Sequence, residues 1–182
     1  VFDITDRKKA EEALRLSEEK YRLFVETATD VIFTIDAHLR ITFMSPTVTR
    51  LRGFTVEEAM AQDISEILTP ASYQAALTAF LEELSIEAQP FKDTHRVRVL
   101  ELEEYCKDGS TIWTESSFHP LRDEEGNFTG MLGITRDISE HKRAEEEREK
   151  LIAEKRMALS DVKVLSGMLP ICSSCKKIRD DR

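Results

Sequence analysis

Nowhere in the chain does an apolar run approach the roughly 18 to 20 residues that span a bilayer, and the opening Val1-Phe2-Asp3 is no signal peptide. No membrane contact is expected from this segment. Cysteine is scarce: Cys106 stands alone and Cys172 and Cys175 form one close pair, too few for a disulfide framework, which points to a reducing compartment and a cytoplasmic location. Positive charge is in deficit. The 26 Lys and Arg against 35 Asp and Glu leave a net charge of −9, and the basic residues alternate with Glu instead of gathering into a patch, which argues against nucleic-acid binding. Also missing are a Gly-rich phosphate loop, a nucleophile elbow and a paired His-Glu metal motif. The plentiful carboxylates fall at helical spacing with Lys or Arg, as Glu146 does with Lys150, and form solvated faces, not a catalytic constellation.

What the chain has is a duplicated step. Gly133-Ile134-Thr135-Arg136-Asp137-Ile138-Ser139-Glu140 hands a strand-like alternation over to a charged helical repeat, and Asp3-Ile4-Thr5-Asp6 repeats the step at the start. Ser139 and Thr5 are placed to cap the first free amides of a helix, while Glu140 and Asp6 favour its positive end. With 41% hydrophobic and 34% charged residues, and the charge concentrated toward both ends, the composition predicts one globular domain with helical extensions.

The extensions carry coiled-coil spacing. Ala10, Leu14, Ser17, Tyr21 and Phe24 recur at steps of four and three, a thin seam over residues 7–27. Over residues 140–169 the positions Ala144, Arg148, Leu151, Lys155, Ala158, Val162, Leu165 and Leu169 keep the alternation, Ile152 and Leu159 widen it, and Pro170 stops it.

Between them, in residues 28–139, Val31, Phe33 and Ile35 alternate, Asp36-Ala37-His38 turns, and Leu39, Ile41 and Phe43 follow as the second arm of a hairpin. Thr55-Val56-Glu57-Glu58 has capping-box spacing, with Gly53 suited to ending the helix before it. Thr69-Pro70 starts a longer helix with Tyr73, Leu77, Phe80 and Leu84 on one face. Further on, Val97 and Val99 share one strand phase while Leu100 and Leu102 share the other, so this strand is either bulged or buried on both faces. Lys107-Asp108-Gly109-Ser110 is a hairpin turn. It leads into a strand whose Ile112, Thr114, Ser116 and Phe118 face one way and whose Trp113 lies in the core or on the outer sheet face. A turn at Asp123-Glu124-Glu125-Gly126-Asn127 precedes the last strand.

Taken in order, Tyr21-Arg22, Val31-Ile32-Phe33, Leu51-Arg52-Gly53-Phe54-Thr55-Val56-Glu57-Glu58, Lys107-Asp108-Gly109-Ser110 and Gly133 to Glu140 resemble the PAS family of sensory domains over residues 20 to 140. That resemblance implies an α+β fold, a five-stranded antiparallel sheet with short helices on one face, flanked by N- and C-terminal coiled-coil helices that often form a homodimer. It also implies that residues 1–6 end a preceding module of the same kind, and that residues 170–182 are the truncated start of a tail that continues in bacterial signalling proteins. Ser45 stands before Pro46 where the family often has Asn.

Residues that could hold a cofactor are few. Members of the family hold haem through a His on the long helix, yet Thr69 to Gln89 has none, and light sensors of the family form a cysteinyl-flavin, yet residues 46 to 89 have no Cys. Neither cofactor is expected. Cys172 and Cys175 supply two of the four soft ligands zinc wants, which a parallel dimer could complete; a redox switch and a plain structural motif are the other readings. Phe33, Ile35, Tyr73, Phe80, Ser116 and Ile134 are candidates to line a pocket for an unknown small ligand, or simply to fill a core.

The resemblance therefore implies a dimeric, non-enzymatic sensory and relay module that passes a conformational signal through Asp137, Ile138 and Ser139 into the following helix, toward an output domain of the same polypeptide outside this chain. Two alternatives stand beside it: a passive dimerisation spacer, and a part of a sensor histidine kinase or diguanylate cyclase whose catalytic domain lies elsewhere.

Overall fold

The computed structural model describes residues 4–89, 93 and 95–168. Its elements are α1 (Ile4–Thr27), β1 (Val31–Asp36), β2 (Ile41–Met44), α2 (Thr47–Arg52), α3 (Val56–Met60), α4 (Ile64–Ile67), α5 (Pro70–Glu87), β3 (Arg98–Tyr105), β4 (Thr111–Arg122), β5 (Phe128–Asp137) and α6 (Ser139–Met168). The chain divides into two compact units, Val1–Ser139 and Glu140–Arg182, and the sheet belongs to the first. Cys172, Cys175, Leu169 and the rest of the tail lie outside the described residues, as do the first residues of the N-terminal copy of the duplicated step.

Local chemistry sets the turns. Asp36 Oδ1 accepts from the His38 and Arg40 amides at 2.8 and 3.0 Å, and this turn holds Leu39 at a φ of 63°. Gly109, at a φ of 85°, closes the turn between β3 and β4, where Asp108 Oδ1 accepts from the Ser110 amide at 2.9 Å. The Thr55 and Glu58 capping box opens α3 with both reciprocal bonds formed, left-handed Gly53 ends α2, and Pro70 takes the first turn of α5.

All strand pairs are antiparallel, and the single sheet runs in the order β2-β1-β5-β4-β3, the α+β architecture expected. The last strand in sequence is thus central, paired with β1 on one side and β4 on the other. Helices α2 to α5 cover one face through three apolar clusters: around Val31, Val48 and Ala59, around Ile35, Phe80 and Met131, and around Ile67, Leu68 and Leu102.

Strand β3 departs from expectation. Its register with β4 is unbroken from Arg98 to Tyr105, so it is not bulged against that partner, and it is not buried on both faces. Leu100, Leu102 and Glu104 turn toward the helices, while Val97 and Val99 are 48% and 54% exposed. Helices α2 to α5 cover only one face of the sheet, so the second apolar phase of β3 meets solvent on the other. Ser45 does not cap α2; its hydroxyl accepts from the Ile32 amide at 2.9 Å and ties the entry of that helix to β1.

Candidate functional site

Between the sheet and helices α2 to α5 lies a cavity of about 90 Å³. Phe33, Ile35, Tyr73, Phe80 and Ser116 are around it, and Leu39 contributes the side chain of its left-handed turn residue. Ile134 is not, which corrects its place among the lining candidates. Facing residues on β5 alternate, so Met131, Gly133 and Thr135 turn inward and Ile134, paired with Ser117 and Ile32, turns outward. Sequence reasoning chose the wrong phase because the inward set of β5 includes Gly133 and Thr135, while the larger apolar Leu132 and Ile134 lie in the outward phase.

The wall is apolar except for a polar band, of which sequence reasoning had named only Ser116. Arg52, 3% exposed, donates from Nε to the Tyr105 carbonyl at 2.9 Å and from Nη2 to Gln62 Oε1 at 3.2 Å, and its Nε stands 3.4 Å from Glu104 Oε2. Glu104 is buried on the inner face, where Thr114 Oγ1 lies 2.8 Å from its Oε1 and 3.1 Å from the Leu102 carbonyl. Next along the sheet, the Ser116 and Thr135 hydroxyls share one hydrogen bond at 2.7 Å. Burial pushes the Glu104 carboxyl above the ordinary carboxylate range, against the opposing pull of Arg52 and the Thr114 hydroxyl, and burial likewise pulls the Arg52 guanidinium down. The signal for Glu104 was in the sequence: it continues the phase of Leu100 and Leu102.

The two most distinctive stretches of the sequence meet beside this band. The Lys107 amide donates to the Arg52 carbonyl at 2.9 Å, Lys107 Nζ reaches Glu58 Oε2 at 2.6 Å, and the Phe54 ring lies 5.1 Å from the Arg52 guanidinium and 5.9 Å from Lys107 Nζ. Lys107 holds the Glu58 carboxylate below its ordinary range, helped by the Thr55 amide of the capping box. The hairpin turn is thereby fastened to the start of α3. A family model described as PAS domain matches residues 29–140, which contain all of these contacts.

The chain belongs to the PAS domain family. Among its relatives are the methanogenesis regulatory histidine kinase FilI of Methanothrix harundinacea, 28% identical over 72% of this chain and 14% of that protein, and the probable diguanylate cyclase DgcE of Escherichia coli, 24% identical over 78% of this chain and 12% of that protein. The chain spans from 12% to 32% of the length of the curated relatives it matches. The PAS domain of an HTR-like protein from Haloarcula marismortui has the same fold, with a TM-score of 0.58 at 21% identity over 72% of this chain and 99% of that one.

The exit of the PAS domain is built differently from the expected cap. The Asp137 carboxylate, and not the Ser139 hydroxyl, receives a first-turn amide: Oδ1 accepts from Ser139 N at 2.7 Å. Ser139 is 8% exposed and turns its hydroxyl into the sheet, where it accepts from the Trp113 amide at 3.0 Å, while Ile138 N donates to the Trp113 carbonyl at 2.9 Å. Strand β4 therefore grips the residue with which α6 begins. Trp113 itself sits on the outer sheet face, since it alternates with inward Thr114. Replacing Ser139 with Ala should cost about 1 to 2 kcal/mol, the price of leaving the Trp113 amide without this acceptor. Chemical denaturation and amide exchange at Trp113 measure it, and exchange unchanged at Trp113 would refute the assignment.

Among the described residues no helix is long and apolar enough to cross a membrane, and no group of three His, Cys, Asp or Glu side chains could hold a metal ion.

Proposed function

We propose that this PAS domain is a cytoplasmic sensory and relay module that works as a parallel homodimer, reads occupancy of its cavity, and passes the change through Asp137, Ile138 and Ser139 into α6. The observation that carries the reading is the double role of β5. Its Met131 and Thr135 line the cavity, and its next residues run without a loop into the helix. A ligand that fits one arrangement of that strand better than another biases both ends of it, and only such differential binding shifts a two-state equilibrium. A spacer with a filled core would have no cavity of this kind, which favours sensing over passive dimerisation.

Support for the homodimer comes from the seams. Leu14, Tyr21 and Phe24 on α1 are 61%, 60% and 72% exposed, an apolar stripe that a twin helix could bury. An output domain on the same polypeptide fits relatives that include histidine kinases and a probable diguanylate cyclase several times longer than this chain. The catalytic step belongs to that domain, and this chain supplies control. Zinc across paired Cys172 and Cys175 is the remaining metal proposal.

In the full-length protein, Asp137→Ala should uncouple the output from the cue while leaving the cavity's ligand affinity unchanged, because it frees the Ser139 amide and loosens the first turn of α6. Output activity measured with and without cue decides it. An unchanged response would remove Asp137 from the relay.

A further inference from the structure

The cavity's polar end has a proton to spare. Ser116 and Thr135 are 1% and 3% exposed and bring two hydroxyl protons to one shared hydrogen bond. Whichever oxygen donates, the other keeps its proton, and among the described residues neither hydroxyl makes a second hydrogen bond. A buried donor that faces a cavity is costly unless something there accepts from it. The charges in the same wall are already matched: Arg52 stands against Glu104, and Arg98 reaches Glu82 at 2.8 Å and Glu83 at 3.8 Å. The rest of the lining, including Leu39, Leu77, Phe80 and Met131, is apolar.

We infer that the cavity takes a small neutral oxygenated hydrocarbon, whose oxygen accepts the spare proton of the Ser116 and Thr135 pair and whose carbon body lies against Phe33, Phe80 and Met131. An engineered cavity of about 150 Å³ accepts benzene. By that yardstick, the cavity of about 90 Å³ here holds on the order of four non-hydrogen atoms. A carboxylate is not the match, because Glu104 stands in the same wall and Arg52 faces it. This inference rests on reading the cavity as a ligand site, and it adds the chemistry of the ligand.

The test is an amide chemical-shift titration of the whole chain with 2-butanone, with its hydrocarbon isostere 2-methyl-1-butene, and with propionate. The ketone is expected to move the amides of β4 and β5 around Ser116 and Thr135 saturably, with affinity about tenfold above the isostere and above propionate. The double variant Ser116→Ala with Thr135→Val removes both hydroxyls together and so leaves neither partner orphaned. It should bind ketone and isostere equally. Equal binding of the two by the native chain would overturn the acceptor assignment while leaving the cavity a ligand site. Tighter propionate binding would overturn neutrality. No saturable shift from any of the three molecules would overturn the inference and the ligand-site reading together.

Discussion

Gly130→Ala is expected to destabilise the chain by about 3 kcal/mol, because the added carbon has nowhere to go. A Cβ at Gly130 would stand 2.1 Å from the Ile35 carbonyl oxygen and 3.1 Å from the Asp36 Cα. Both obstacles are backbone, and both belong to the strand with which β5 pairs, Met131 lying opposite Ile35 and Gly130 opposite Asp36. Relief therefore requires the central strand pair to part. Gly133 makes the internal comparison. A Cβ there would meet the Phe33 ring at 2.2 Å, an equally close approach, but the ring is a side chain and borders the cavity into which it can turn. Gly133→Ala should accordingly cost less, about 1 to 2 kcal/mol, and should shrink the cavity instead of opening the sheet. Urea denaturation of the two variants ranks them. A Gly130→Ala variant within about 0.5 kcal/mol of the parent, or a Gly133→Ala variant that costs more, would show that the strand pairing described here is wrong.

Arg52→Met is expected to cost about 3 kcal/mol near pH 8 and distinctly less near pH 5. Removing the guanidinium strips the Tyr105 carbonyl and Gln62 of a donor and leaves the Glu104 carboxylate buried without its counter-charge. The pH dependence follows from the direction in which burial moves Glu104. Its folded value lies above the ordinary carboxylate range, so its contribution to stability is fully present below that range and declines as pH rises through the folded value. Without Arg52 the opposing pull is lost and the folded value climbs further, which widens the window of decline. As pH falls the variant can bury Glu104 as the neutral acid, bonded to Thr114, and escapes the part of the penalty that comes from its unpaired charge. Denaturation curves for parent and variant at the two pH values measure the difference. A penalty that shrinks as pH rises would reverse the sign assigned to Glu104.

The pieces legible in the sequence were those whose cause lies within a few residues. The Thr55 capping box, the Asp108-Gly109 turn, the Pro70 start of α5 and the face carrying Tyr73, Leu77 and Phe80 each follow from bonds or spacing along one short segment. Five of the six residues named as pocket candidates surround the cavity because β1, β4 and α5 each have one clearly more apolar phase. Where a strand lacked such a contrast the phase was lost. On β5 the inward set is Met131, Gly133 and Thr135, two of which carry no large apolar side chain, so the outward Ile134 is the more apolar of the two phases' residues. On β3 the two apolar phases looked alike, and only its register with β4, which sets Leu100 and Leu102 opposite inward Ser116 and Thr114, decided which one faced the helices. Arg52 and Glu104 escaped notice because each alone resembles an ordinary surface charge. Their significance arises from being brought together.

By itself the sequence determined the family, the order of elements and the chemistry of the turns, since these depend on hydrogen bonds and periodicities that close over neighbouring residues. The tertiary structure alone decided that β5 runs through the middle of the sheet, that Ser139 reaches back to Trp113 instead of capping its own helix, and that a matched charge pair and a hydroxyl pair share one wall of an apolar cavity. Each of these joins segments far apart in the chain. Pairing between such segments is fixed by strand register, and a shift of one residue would exchange every inward side chain for its neighbour.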